Sequence, residues 1–255
     1  MKLLVCIRQV PDSTTRVRVA PDGTGIVTDG ITWSISPYDE YAIELALEHK
    51  DSAPDTTVSV VTVGGARAKD ALRQALAMGC DDATHLTGEG AEALGPLGIA
   101  AALAGLVREA SPDAVLCGTQ AADDDQGFVG PALAEALGWP HLATVTRFSA
   151  GAGGLEVWTE AEGGHAVWEA SGPVVLTVQK SEKEPRYPSL PGIMKAKKKE
   201  IPERPVSGVA DPVRLEVVRL EPPPARGAGK LLKDGDMRTN AAELAKLLRD
   251  EAKVL

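Results

Sequence analysis

The chain has 255 residues, of which 44% are hydrophobic and 25% charged, and a formal net charge of −9. That is enough chain for one large domain or two modest ones, in a composition that excludes wholesale disorder. The negative charge argues against nucleic-acid binding as a main activity, and no stretch approaches the ~20 apolar residues of a membrane span.

"KLLVCI" opens the chain as a buried strand. Its apolar run stops at Arg8, too short for the core of a secretory signal, so a cytoplasmic protein without a targeting segment is expected. "RVRVAPDGTGIVTDG" reads as a hairpin turning at Asp22-Gly23. "SPYDEYAIELALEHKD" carries Ser36 as a capping residue, a proline at the first helical position and acids in the first turn, which predicts a helix. His49 near its end is placed to meet the last carbonyls. "TTVSVVTVG" is a β-branched strand and "ARAKDALRQALAMGCD" a helix with Ala71, Leu72, Ala75 and Leu76 on one face. A short strand "ATHLT", a helix "LGPLGIAAALAGLVREA", a buried strand "PDAVLCG" and a helix "GPALAEALG" follow. Such alternation predicts a parallel sheet with helices on both faces.

After about residue 142 the rhythm changes. "LEVWTEAEGGHAVWEASGPVVLTVQ" predicts an antiparallel hairpin around Gly163-Gly164 and one more strand, so the sheet is mixed. The fold class is therefore α/β, a Rossmann-like, mostly parallel sheet flanked by helices with an antiparallel hairpin added. Residues 1–200 form the nucleotide-binding domain in this reading. Prolines and charges thicken over 201–255 ("IPERPVSGVADP", "EPPPARGAG"), which predicts an extended arm ending in the amphipathic helix "RTNAAELAKLLRDEAKVL". That helix can pack on its own domain or on another chain.

Ligands of open α/β sheets bind at the carboxyl ends of the strands. The loop after "AVLCG", which is "TQAADDDQGFVG", is rich in small residues and opens a helix whose first N–H groups can hold phosphate. Its three aspartates would repel an anion unless they face away, cap the helix or bind ribose hydroxyls. They match no EF-hand spacing, and no metal is expected. "VGGARAKDAL" is a second glycine-bearing loop of this kind. Neither loop holds G-x-G-x-x-G or a Walker A motif, so an ordinary NAD site or NTPase is not supported; the loops fit an adenine nucleotide lying across the strand ends, or simply helix-capping turns. Cys6, Cys80 and Cys117 lack C-x-x-C spacing and read as reduced thiols. The four histidines lack any catalytic signature, and four scattered tryptophans make no stacking platform. The chain does not look like an enzyme acting alone.

One stretch is left over. "EPRYPSLPGIMKAKKKE" sets Lys195, Lys197, Lys198 and Lys199 directly after an apolar lead-in, which leaves a docking element and a solvated lysine helix both open.

With "VTDGITWSISPYDEYAIELAL", "ALRQALAMGCD" and "LCGTQAADDD", that stretch resembles the β subunit of electron transfer flavoprotein, and the likeness runs from the first strand to the terminal helix. The resemblance implies a heterodimer with an α subunit that holds the redox-active FAD, while the β subunit holds a structural AMP. It implies electrons arriving from acyl-CoA and related dehydrogenases and leaving for a membrane quinone oxidoreductase. Carried over, the AMP contacts fall on Cys6, Ser36, Pro37, Tyr38, Asp39 and Val63. They continue through Gly118, Thr119, Gln120, Ala121, Ala122, Asp123, Asp124, Asp125, Gln126, Gly127, Phe128 and Val129. Phe128 stands where relatives usually carry a polar residue, and Ser13 replaces a tyrosine that approaches the flavin in some of them.

The resemblance also implies that Leu190 enters an apolar pocket of the dehydrogenase, with Pro191, Ile193 and Met194 around it and Lys195 and Lys198 among the steering charges. Glu160 would pair with an arginine of the α subunit's mobile flavin domain. The electron-bifurcating branch, with a second FAD in place of AMP and NADH as donor, usually reads D-G-D where this chain has Asp123-Asp124-Asp125. From a different class, an ATP-binding stress or sensor module shares the strand-helix plan.

Overall fold

In the computed structural model of the chain, residues 1–151, 153–206, 217–224, 227–233 and 235–255 are described. The first compact unit spans Met1–Val218 and the second Arg219–Leu255.

The first unit begins with β1 (Lys2–Cys6), β2 (Gln9–Pro11), β3 (Trp33–Ile35) and α1 (Pro37–Ser52). Strand and helix then alternate through β4 (Thr57–Val63), α2 (Lys69–Met78), β5 (Asp82–Thr87), α3 (Pro96–Ala110), β6 (Ala114–Gly118) and α4 (Val129–Leu137). Four strands follow without a helix between them: β7 (His141–Gly151), β8 (Gly154–Ala161), β9 (Gly164–Ala170) and β10 (Val174–Val178). The unit closes with α5 (Leu190–Lys198) and β11 (Glu203–Pro205).

Nine strands form one sheet in the order β11-β5-β4-β1-β6-β10-β7-β8-β9. Every pairing from β11 across to β7 is parallel, and β7-β8-β9 is antiparallel. The mixed sheet and the hairpin at Gly163, whose φ of 80° suits glycine, agree with the sequence reading. Burial explains the run-like strand sequences. All five residues of β10 are buried, because helices cover both faces of the sheet. Side chains of β1 alternate between them: Leu3 and Val5 pack with α1 and α2, Leu4 and Cys6 with α3 and α4.

Three expectations need correcting. The segment expected as a hairpin turns at Asp22-Gly23, with Gly23 at φ 72°, but its arms share a single bridge, Val19 to Ile26, and form no regular strands. None of its residues is fully buried, and Val17 stays 48% exposed. Regular pairing occurs further out, where β2 and β3 form an antiparallel ribbon. Ser36 does occupy the position before α1, yet its hydroxyl makes no capping bond there; it accepts from the Ala122 N–H at 3.3 Å. The His49 ring is buried and stacked on Phe148, with centroids 5.0 Å apart, so aromatic packing has claimed the side chain expected at the helix carbonyls.

The boundary expected at residue 200 falls just before β11, which pairs with β5 through Glu203 and His85. Residues 207–216, 225–226 and 234 of the expected arm lie outside the described residues. In the second unit α6 (Met237–Asp250) is capped by Asp236, whose carboxylate accepts from the Thr239 N–H at 2.7 Å, and none of its residues is buried.

Candidate functional site

The chain leaves β1 toward β4 and β5 on one side, then crosses back through α3 to β6 on the other. The strand order thus reverses between β1 and β6, and their carboxyl ends, Cys6 and Gly118, open the crevice that such a switch point creates. Cys6 lies directly opposite Cys117, and both thiols are buried and free. The neighbouring Cys117 thiol, with burial, pushes the Cys6 thiol well above its ordinary range, so Cys6 is not poised as a nucleophile.

Asp39 ties the two strand ends together. Its carboxylate accepts from the Gly118 N–H at 2.8 Å and from the Arg8 N–H at 2.7 Å. Burial raises its pKa to about 7, against the pull of those two N–H groups. Gly118 is required by this approach: a Cβ there would lie 2.6 Å from the Asp39 Oδ1 and 2.8 Å from the Tyr38 Cβ. Pro37 starts α1 beside them, and Val63 ends β4 on the other side of β1.

The loop 118–129 lies across this floor. The Thr119 N–H donates to the Val178 carbonyl and the Ala122 N–H to the Ser36 hydroxyl. The three aspartates are all engaged within the loop's own surroundings. Arg8 Nη2 donates to Asp123 at 2.7 Å and Nη1 to Asp124 at 2.6 Å. Gln120 Nε2 donates to Asp125, whose φ of 51° turns the chain, and Gln126 donates to Asp124. Burial nevertheless raises the Asp123 carboxyl, with Arg8 opposing and Asp124 reinforcing the shift.

Gly127 turns the chain again at φ 60° into Phe128, which stands at the N-cap of α4 and offers no side-chain cap. The first N–H groups of α4 therefore have no partner of this kind, which suits an anion. An uncapped helix start beside the carboxyl ends of β1 and β6 is a setting that fits a phosphate group. The structure brings the residues expected at this site to one sheet edge. It adds Arg8, which no motif signalled because its partners lie 115 and 116 positions away.

The leftover stretch forms a second site. Its lead-in is fastened to α1: Arg186 forks onto the buried Glu44 at 2.8 and 2.9 Å and reaches Asp51 at 2.8 Å. The Tyr41 hydroxyl donates to Glu184 at 2.7 Å, a bond that pushes its pKa up to about 12. Ser189 then caps α5 by accepting from the Gly192 N–H at 3.1 Å, with Pro191 in the first turn. Ile193 and Ala196 pack inward, and a Cβ on Gly192 would overlap the Ala77 carbonyl oxygen of α2. Arg73 of α2 closes the other end by donating to the Ala196 carbonyl at 2.9 Å and the Lys199 carbonyl at 3.3 Å.

What this rigid mount displays is apolar. Leu190 is 80% exposed and Met194 59%, with Lys195, Lys197 and Lys198 exposed around them. Glu160 lies apart, exposed at the end of β8 and opposite His165 on β9.

The electron transfer flavoprotein domain family matches residues 24–208, which include both sites beyond the first strand. The chain belongs to the electron transfer flavoprotein family. Full-length similarity to individual members agrees: the chain is 38% identical to the electron transfer flavoprotein subunit beta of Bradyrhizobium diazoefficiens, over all of both chains. It is 38% identical to the subunit beta of Bacillus subtilis, again over all of both. With the human subunit beta the identity is 39%, covering 90% of this chain and 91% of that one. Membership in the electron transfer flavoprotein family agrees with the α/β architecture, a large and mostly parallel sheet flanked by helices.

Proposed function

We propose that this chain is the β subunit of a heterodimeric electron carrier, binding AMP as a structural nucleotide at the β1/β6 crevice and docking a dehydrogenase through α5. The observation that carries this reading is the pairing of two unlike sites on one fold: a crevice at the strand ends, and an apolar anchor on a clamped helix. A chain that only bound a nucleotide would have no use for the second.

In this reading the α subunit holds the FAD, which supplies the redox chemistry when bound. The residues of this chain orient and recruit. Asp39 and Gly118 shape the nucleotide floor, and the start of α4 faces the phosphate. Leu190 enters a pocket on an acyl-CoA or related dehydrogenase, and Met194, Pro191 and Ile193 support it. Lys195 and Lys198 attract an acidic rim. Electrons then pass toward a membrane quinone oxidoreductase. Glu160 is the candidate contact for the α subunit's flavin domain, and α6, which buries none of its residues, is the candidate contact for the α subunit itself.

Co-expression with the α partner tests the reading. A yellow heterodimer that releases one FAD and one AMP on denaturation is expected, measured by mass analysis of the released nucleotides. Two FAD and no AMP would replace the reading by electron bifurcation. A colourless monomer that binds ATP would replace it by a sensor module.

A further inference from the structure

Arg8 is the one cation joined to the aspartate run of loop 118–129 among the described residues, and the geometry of that union bears on which ligands the crevice accepts. Its main chain is fixed on both sides. The Arg8 N–H donates to Asp39 at 2.7 Å, and the Arg8 carbonyl accepts from the Ser36 N–H at 2.9 Å. The guanidinium, projecting from that fixed point, spreads its two terminal nitrogens onto two separate carboxylates, Asp123 and Asp124.

The charges do not balance. One guanidinium faces two carboxylates, with Asp125 next in the chain, so the loop leading into α4 carries excess negative charge at neutral pH. The Asp123 and Asp124 side chains are each 26% exposed and that of Arg8 42%, so water screens these pairs only in part. Removing Arg8 would leave two half-buried carboxylates facing an incoming phosphate. A nucleoside without phosphate would feel little of that change.

We propose that Arg8 is a positioning residue that makes this crevice permissive for a nucleotide monophosphate, by compensating Asp123 and Asp124 and turning their carboxylates onto itself. This inference rests on the nucleotide reading proposed above. Arg8 needs no contact with the ligand, because it acts through the two aspartates. The same excess of negative charge makes the crevice discriminate against nucleotides with more phosphates, so AMP is bound in preference to ATP.

The test is equilibrium dialysis of the full-length chain, co-expressed with its α partner, against labelled AMP, adenosine and ATP. For the unaltered protein, AMP is expected to bind more tightly than either of the others. Arg8→Gln should weaken AMP by about tenfold and adenosine by less than about threefold, the size expected for part-exposed charge pairs. Adding Asp123→Asn and Asp124→Asn to Arg8→Gln should restore AMP to within about threefold, since the repulsion is gone although the fork is still missing. Arg8→Lys, which keeps the charge and loses the fork, should stay close to the unaltered protein. The inference is overturned if Arg8→Gln leaves AMP unchanged. It is equally overturned if AMP and adenosine weaken together and the paired asparagines restore neither, because Arg8 would then only anchor the loop. Failure of the unaltered protein to bind AMP or adenosine at all would remove the nucleotide reading itself.

Discussion

Asp39 and Leu190 represent opposite uses of a single side chain. Asp39 is buried at the junction of the two halves of the sheet, and its pKa moves from an ordinary 3.8 to about 7 because burial outweighs the two N–H groups it accepts from. The folded protein therefore keeps a proton that the unfolded chain has already released, and the sign follows. The contribution of Asp39 to stability is complete below about pH 4, declines as pH rises toward 7 and is flat above it. Against Asp39→Asn, the urea midpoint of the unaltered protein should fall between about pH 5 and 7, with a slope of up to about 1.4 kcal/mol per pH unit. Parallel pH profiles for the two proteins would show that Asp39 is ionised throughout. Leu190, by contrast, is 80% exposed and makes no contribution to the core. Burial of one leucine in a partner is worth ~2 kcal/mol, so Leu190→Ala should weaken the dehydrogenase complex by about thirtyfold while the flavin spectrum and the thermal midpoint stay unchanged. Stopped-flow reduction by the dehydrogenase measures the first, and an unaltered rate at limiting dehydrogenase would reject the anchor.

At the level of elements, α5 is short and would not persist alone in water. Its order comes from its fastenings: the Ser189 cap, Arg73 at the carbonyl end, and Gly192 lying against the backbone of α2. Gly192→Ala forces a methyl group into the Ala77 carbonyl and should cost on the order of 1–3 kcal/mol in the attachment of α5. Hydrogen exchange of the amides of residues 190–198 should then speed up while β1, β6 and β10 stay protected; unchanged exchange in α5 would show that the close approach is not what holds it. Part of this was legible in the chain alone. "VVLTV" and "LLVC" declare strands buried on both faces, and "SLPGIMKAKKK" declares a change from apolar to cationic. The rest needed three dimensions. Nothing in the sequence of β10 says that it inserts between β6 and β7, or in "ERP" that it forms a parallel edge strand. Arg8 with Asp123, and Arg186 with Glu44, are pairs joined by topology across more than a hundred positions, beyond the reach of any local pattern. The "RVRV" segment failed for the opposite reason: its alternation is a good strand signal, but no second surface meets it.

For the whole molecule, charge poses a question of sign. The chain carries a formal −9, yet the surface that α5 presents is cationic, with Lys195, Lys197, Lys198 and Lys199 all exposed. An acidic partner approaching from a distance meets the net charge and is repelled; close in, it meets the lysines and is attracted. The Debye length decides between them, being about 30 Å at 0.01 M salt and about 10 Å at 0.1 M. If net charge governs the encounter, added salt relieves repulsion and association speeds up. If the lysine collar governs, added salt weakens attraction and association slows. The mounting of the collar favours the second outcome, because a cationic patch held at the contact point acts where the transition state for docking forms. Association with the dehydrogenase should therefore slow by roughly threefold to tenfold between about 0.02 and 0.2 M salt. Replacing Lys195 and Lys198 by glutamine should flatten that dependence and leave the rate at high salt nearly unchanged, since Leu190 still supplies the short-range contact. A rate that rises with salt in the unaltered protein would assign the encounter to the net charge and leave the lysines without a steering role.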